Sequence, residues 1–252
     1  MIYLFGDLHG INNLNHFDSK HFKHGDALTK NDYVIVLGDF GIPWSNISTK
    51  GYSDEMDKLK WLNDKPWTTL FIDGNHENFY NLESFEEVDF ASGKAHKLMP
   101  SIYHLERGYI FNIEDKKIFA FGGALSLDKS NRTPGLSWWP QELANKEEYE
   151  RALNNLNYNH NKVDYVITHT TSNENTKLVL NINDDLLIHD PSCKFFDLFD
   201  KLITYKKWFF GHFHVDSTIR NRDGSSLYCL YNNYIELNTK ADTITHFDIT
   251  NI

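Results

Sequence analysis

The chain has 252 residues, 40% of them hydrophobic and 15% aromatic, a length and balance that fit one sizeable domain with a full core. Its formal net charge of −10 argues against a broad electrostatic grip on nucleic acid or an anionic membrane. The charge leaves room for a small phosphorylated substrate, because bound metal ions reverse the local field.

Two cysteines, Cys193 and Cys229, are too few and too far apart for a disulfide framework or a Cys-type zinc site. The N-terminal Met-Ile-Tyr-Leu-Phe run lacks a basic leader, and no apolar stretch approaches membrane-spanning length. A cytoplasmic protein with no membrane partner is the expectation.

In chain order, a buried strand from Ile2 to Phe5 leads into Gly6-Asp7-Leu8-His9-Gly10, and a second from Tyr33 to Leu37 leads into Gly38-Asp39. Ser53 is placed to cap a helix running to about Asn63, with Asp54 and Glu55 favourably set in its first turn. A strand from Thr68 to Ile72 precedes Gly74-Asn75-His76-Glu77, where Glu77 is expected to cap the next helix. Short β runs from Tyr103 to Gly122 around Glu114-Asp115-Lys116 predict a hairpin. Pro140 suits the first turn of a helix from about Gln141 to Asn155.

A strand from Val163 to Thr168 precedes His169, and a helix is expected over about Lys194 to Ile203. The strand Lys207 to Phe210 runs into Gly211-His212-Phe213-His214. A hairpin over Thr218 to Leu230 turns at Asn221-Arg222-Asp223-Gly224, and Ile244 to Ile249 is a last strand. Continuous apolar runs indicate strands covered on both faces. Mixed βα units with a β-rich end predict two stacked sheets with helices outside, as a single domain over 1–252.

Five strand-like runs therefore end in Asp, His or Asn. Asp7 with His9, and His212 with His214, are two residues apart, a spacing that turns both side chains of an extended segment to one face. Either pair alone is weak evidence. Five strand ends that deliver hard oxygen and imidazole ligands together can build one site for two divalent metals.

The order GDLHG, GD, GNHE, His169 and GHFH resembles the calcineurin-like, binuclear metallophosphoesterase superfamily across almost the whole chain. The resemblance implies an α/β, four-layer αββα sandwich of two mixed sheets flanked by helices, with the site at the loop ends. It implies that Asp7, His9 and His214 hold one metal, that Asn75, His169 and His212 complete the second, and that Asp39 bridges them. Mn²⁺ is the first expectation, with Fe, Zn²⁺ or Ni²⁺ also suited to carboxylate, imidazole and amide ligands. A bridging carboxylate sets two cations about 3.5–4 Å apart, where a shared hydroxide becomes a nucleophile at neutral pH. His76 takes the implied role of contacting phosphate and protonating the leaving oxygen.

One motif departs from the pattern. The Ser/Thr protein phosphatase branch reads GDxxDRG, whereas Gly38-Asp39-Phe40-Gly41-Ile42-Pro43-Trp44 has Ile42 and Pro43 where the second Asp and the phosphate-binding Arg would stand. A replacement cation is sought in the segment 123–139, where Arg132 or Lys129 can grip phosphate and Trp139 can stack on a base. Arg107 and Arg220 are weaker candidates, and Trp44 is a candidate pocket wall. The segment, with GDFG and Ser-Trp-Trp-Pro, resembles small bacterial and phage-type phosphoesterases. The expected activity is hydrolysis of phosphate mono- or diesters of a small or nucleotide-type substrate. A nuclease, a protein phosphatase and a non-catalytic scaffold are the alternatives.

Overall fold

The computed structural model describes residues 1–249. The apolar runs become parallel strands whose successive residues serve two different cores. In the first sheet, β1 (Ile2–Phe5), β2 (Tyr33–Val36) and β3 (Thr68–Phe71) run parallel, and the antiparallel pair β4 (Glu86–Phe90) and β5 (Gly93–Met99) joins β6 (Ile102–Leu105), which is parallel to β3. The second sheet contains β7 (Tyr109–Ile113), β8 (Lys116–Phe121), β9 (Tyr165–Thr168), β10 (Lys207–Phe210), β11 (Ser217–Arg220) and β12 (Ser226–Cys229). The chain then returns to the first sheet with β13 (Asn233–Asn238) and β14 (Thr243–Asp248), giving the order β14-β13-β1-β2-β3-β6-β5-β4.

Leu4, Ile35 and Leu70 point between the sheets, where they meet Ile118, Ile167 and Phe209. Their neighbours Phe5, Val34, Val36 and Phe71 point outward to Leu59 and Leu62 of helix α1 (Lys50–Asn63). This double burial explains why the strands show no polar alternation. Besides the short α2 (Phe79–Leu82), the helices are α3 (Lys146–Tyr158), α4 (Asn173–Leu180) and α5 (Pro191–Leu202). Ala152 and Leu156 of α3, with Phe196 and Phe199 of α5, cover the outer face of the second sheet. The two mixed sheets between helical layers are the α/β arrangement that the resemblance implied. No helix of the described residues is long and apolar enough to cross a membrane.

Several boundaries differ from expectation. Helix α1 starts earlier, because the Thr49 side chain rather than Ser53 accepts the Tyr52 amide. Pro140 opens a separate 3-10 turn, Pro140–Glu142, and α3 begins only after Asn145, which forms a reciprocal capping box with Glu148. The hairpin expected from Tyr103 splits between the sheets: Tyr103 belongs to β6, and only Tyr109 to Phe121 form the hairpin of β7 and β8.

Arg107 sits where the chain crosses between the sheets. Its guanidinium Nε donates to Asp73 Oδ2 at 2.9 Å, a terminal nitrogen bonds the same oxygen, and another bond reaches the Gln141 carbonyl at 2.8 Å. His104 Nε2 lies 3.0 Å from Asp73 Oδ1. Burial opposes the charge on Asp73, but Arg107 and His104 hold its carboxyl well below the usual range. A depressed folded-state pKa adds stability above the unfolded value, near about 3.9, and that contribution is lost as pH falls below it. Arg107→Ala leaves a buried carboxylate without its main partner and is expected to cost about 3–5 kcal/mol in urea unfolding at pH 7. A loss under about 1 kcal/mol would show that the pair does not organise this crossing.

Candidate metal centre

The parallel registers bring the strands' carboxyl ends to one edge, the usual place for ligands in open α/β sheets. From the first sheet, the loops after β1, β2 and β3 supply Asp7 and His9, Asp39, and Asn75 with His76. The loops after β9 and β10 supply His169, His212 and His214 from the second. Four of these residues, His9, Asp39, His212 and His214, have positive φ values of 55°, 48°, 68° and 52°. Left-handed backbone at non-glycine residues costs of order 1–3 kcal/mol each and gathers at functional sites.

Asp7 is fully buried, and its carboxylate accepts the His212 amide at 2.9 and 3.2 Å. Its Oδ2 lies 3.1 Å from His214 Nε2, which in turn lies 3.0 Å from His9 Nε2. Asp39 Oδ1 accepts the His76 amide at 2.8 Å and lies 3.3 Å from His169 Nε2, while Oδ2 is 3.7 Å from His9 Nδ1. Burial disfavours charge on Asp39, yet the imidazoles of His169, His76, His9 and His212 keep its carboxyl below its ordinary value. Burial, then His169, pushes His212 down to about 4, leaving the neutral imidazole that ligates metal.

The tautomer of His169 tests whether these residues fit a cation. Its Nδ1–H is directed at the Leu37 carbonyl, 2.9 Å away, so Nε2 turns its lone pair inward. That nitrogen faces the Asn75 Oδ1 at 3.1 Å and Asp39 Oδ1 at 3.3 Å, both acceptors. Three converging acceptors call for positive charge between them, a proton or a metal, and against the effect of burial Asp39 and Asp7 raise the His169 pKa. Asp7, His9 and His214 form one cluster with ligand atoms within 4.8 Å, and His9, Asp39 and His76 form another. The donor set of carboxylates, imidazoles and one amide suits Mn²⁺, Fe, Zn²⁺ or Ni²⁺. Cys193 and Cys229 stay buried and free.

Arg132 reaches the site. Its terminal nitrogens lie 3.3 and 3.5 Å from the two ring nitrogens of His76, with Nε bound to Asp128 at 2.8 Å. Burial lowers the His76 pKa, and Arg132 adds to that against the pull of Asp39. Lys129 is exposed in the turn Lys129–Asn131. Trp139 corrects an expectation: it is fully buried, edge-on to Trp44 at 5.1 Å and Tyr80 at 6.2 Å, and has no face to stack on a base. Trp44 is half-buried and, with His9, Ile11, Gly41 and His76, lines a depression of about 280 Å³.

Glu77 is a second correction. Asn78, not Glu77, caps α2 by accepting the Asn81 amide at 3.2 Å. The buried Glu77 carboxyl instead accepts Phe40 N at 2.8 Å, Gly41 N at 2.9 Å and Gly74 N at 3.4 Å. It locks the Asp39 loop to the Asn75 loop. Glu77→Ala strands three buried amides, each costing about 1–3 kcal/mol, and is expected to lower both Tm and metal uptake. Asn78→Ala removes the cap, worth about 1 kcal/mol, and a bond to the Trp44 carbonyl, but neither touches Asp39 or Asn75, so metal uptake should stay intact. Equal metal uptake by the two variants, measured after reloading, would contradict the locking role.

The calcineurin-like phosphoesterase family profile matches residues 1–216. Among solved structures, GAP50, "the anchor in the inner membrane complex of Plasmodium", shares 10% identity at a TM-score of 0.56, covering 99% of this chain and 84% of that one. A 5'-nucleotidase from Candida albicans shares 15% identity at a TM-score of 0.48, over 99% of this chain and 51% of its own, so this chain spans about half its length. The phosphopantetheinyl hydrolase of Mycobacterium tuberculosis shares 14% identity at a TM-score of 0.42, over 91% and 89%. The first likeness concerns the fold alone, and no curated protein matches the sequence. On the family match, the chain belongs to the calcineurin-like phosphoesterase family and is a metal-dependent hydrolase of phosphoric esters.

Proposed function

We propose that the chain hydrolyses phosphate mono- or diesters of a small or nucleotide-type substrate at two divalent cations, with Mn²⁺ favoured. Asp7, His9 and His214 hold one cation, Asn75, His169 and His212 the other, and Asp39 lies between. The observation that carries this reading is the meeting of His169 Nε2, Asn75 Oδ1 and Asp39 Oδ1, three groups that draw one positive charge between them while Nδ1 is committed to Leu37. When bound, such a pair of cations neutralises the phosphoryl oxygens and activates water near neutral pH.

The chain's own groups account for the remaining steps. Arg132 is the cation that the Asp39 loop lacks, and its guanidinium presents two donors toward the phosphoryl group. Burial and then Arg132 lower the His76 pKa, and the negative charge of a phosphate bound beside both opposes that lowering, so the imidazole takes up a proton as substrate binds. His76 then delivers that proton to the leaving oxygen. The leaving group enters the depression beside His76, where Trp44 and Ile11 offer apolar surface and neither Lys nor Arg appears in the lining. That surface supports an uncharged leaving group such as a nucleoside.

Asp39→Ala and His212→Ala are expected to abolish turnover of p-nitrophenyl phosphate or its bis ester together with metal uptake. His76→Ala should slow turnover about 10²–10⁴-fold while both ions stay bound. Equal metal loss in all three variants would break the assignment of His76. Arg132→Ala should raise KM about tenfold or more, with a smaller change in kcat. Unchanged kinetics would return Arg132 to a surface role.

A further inference from the structure

The loop after Asp39 has no regular structure, yet side chains hold its backbone at successive residues. Asn81 Nδ2 donates to the Pro43 carbonyl at 3.1 Å and the Ser45 carbonyl at 2.8 Å, and Asn78 Nδ2 donates to the Trp44 carbonyl at 2.7 Å. From α1, Glu55 accepts Ser45 N at Oε2 and Ser45 Oγ at Oε1, both at 2.9 Å. The Trp44 ring rests against the buried Trp139. A loop held this way is a preformed wall.

Glu55 does more than hold the loop. With Trp44, Ile11 and Asn12 it lines the depression beside His76, and only 8% of the residue is exposed. Among the described residues its carboxylate has no ion-pair partner, and both of its bonds come from uncharged groups of Ser45. A carboxylate offers about four acceptor positions, so about two stay open to a ligand. A buried negative group without a neutralising cation sets the sign of the field in this space of about 280 Å³.

From this we infer that Glu55 is a specificity-determining residue, which turns away anionic leaving groups and selects phosphate esters of alcohols that carry no negative charge. The inference deepens the hydrolase reading above and rests on it, since the leaving group enters this depression only if His76 and Arg132 face the phosphate. A leaving group bearing a carboxylate or a second phosphate meets like charge in a partly desolvated space. Such repulsion is typically worth about tenfold or more in binding. A hydroxyl of an uncharged alcohol instead donates to an open position on Glu55.

The test is kcat/KM of Mn²⁺-loaded full-length protein on a matched pair, phenyl phosphate and 4-carboxyphenyl phosphate. Their ratio, taken on each variant, cancels intrinsic reactivity. Glu55→Gln keeps the shape and an acceptor for Ser45 but removes the charge, and is expected to shift the ratio about tenfold toward the carboxylated ester. Asn12→Lys, at an exposed position of the same depression, adds a cation without touching the Ser45 loop and should shift the ratio the same way. Both shifts should shrink at high salt, as a charge effect does and a change of fit does not. A shift in Asn12→Lys beside an unmoved ratio in Glu55→Gln, folded by its melting curve, overturns the inference alone. Ratios unmoved in both variants overturn the placement of the leaving group as well. Natural protein that turns over neither these esters nor bis-p-nitrophenyl phosphate overturns the hydrolase reading and the inference with it.

Discussion

The buried carboxylate of Asp39 is the interaction on which the site depends. Its backbone carbonyl accepts the amides of Leu8 and His9 at 3.2 and 2.6 Å, so it shapes the loop that carries the first ligands. Its side chain accepts the His76 amide and so shapes the loop of Asn75. It also faces rings from both sheets, His9 from the first and His169 from the second. Removing the carboxylate would release the His76 amide and strip His9 and His169 of their counter-charge, while the backbone carbonyl would still hold the His9 loop.

Such a hub requires unusually close approach. A Cβ on Gly74 would collide with the Asp39 carboxylate, and one on Gly211 would collide with that of Asp7. The glycines before Asn75 and His212 are thus bare surfaces for the carboxylate of a neighbouring loop. Two buried carboxylates so near each other repel, and positive φ at four of the candidate ligand residues adds strain. The imidazoles offset part of that repulsion, and divalent cations offset far more. The sandwich supplies the rigidity, with parallel strands of both sheets packed on a shared core.

The strands that carry the site were legible because each is buried on both faces and reads as a continuous apolar run. The candidate ligand residues stand out because each follows such a run. Less visible were β4 and β13. The edge strand β4 exposes Glu86, Glu87 and Asp89, and β13 carries Asn233, Glu236 and Asn238 around Tyr234, Ile235 and Leu237. Exposure at an edge hides the apolar signal. Glu77 was misread because a carboxylate before a helix ordinarily caps it, and only tertiary structure shows Phe40 and Gly41 as its partners. The contact of Ser126 with Asn75 spans 51 residues, a separation no local pattern reveals. Trp139 shows the converse: sequence proximity to a site suggests a stacking surface, but packing on Trp44 and Tyr80 claims the ring.

The substrate side follows from what the Asp39 loop lacks. Ile42 is buried and takes no part in charge, and Pro43 has no cation to offer. Arg132 approaches His76 from a different part of the chain, so in the proposed function phosphate recognition and proton delivery would share one contact. The central claim is that seven side chains from both sheets converge on two cations. Anomalous scattering from crystals loaded with Mn²⁺ tests it most directly. Two peaks about 3.5–4 Å apart, with Asp39 touching both, are the result expected. A single peak, or peaks remote from Asp39, would contradict the account.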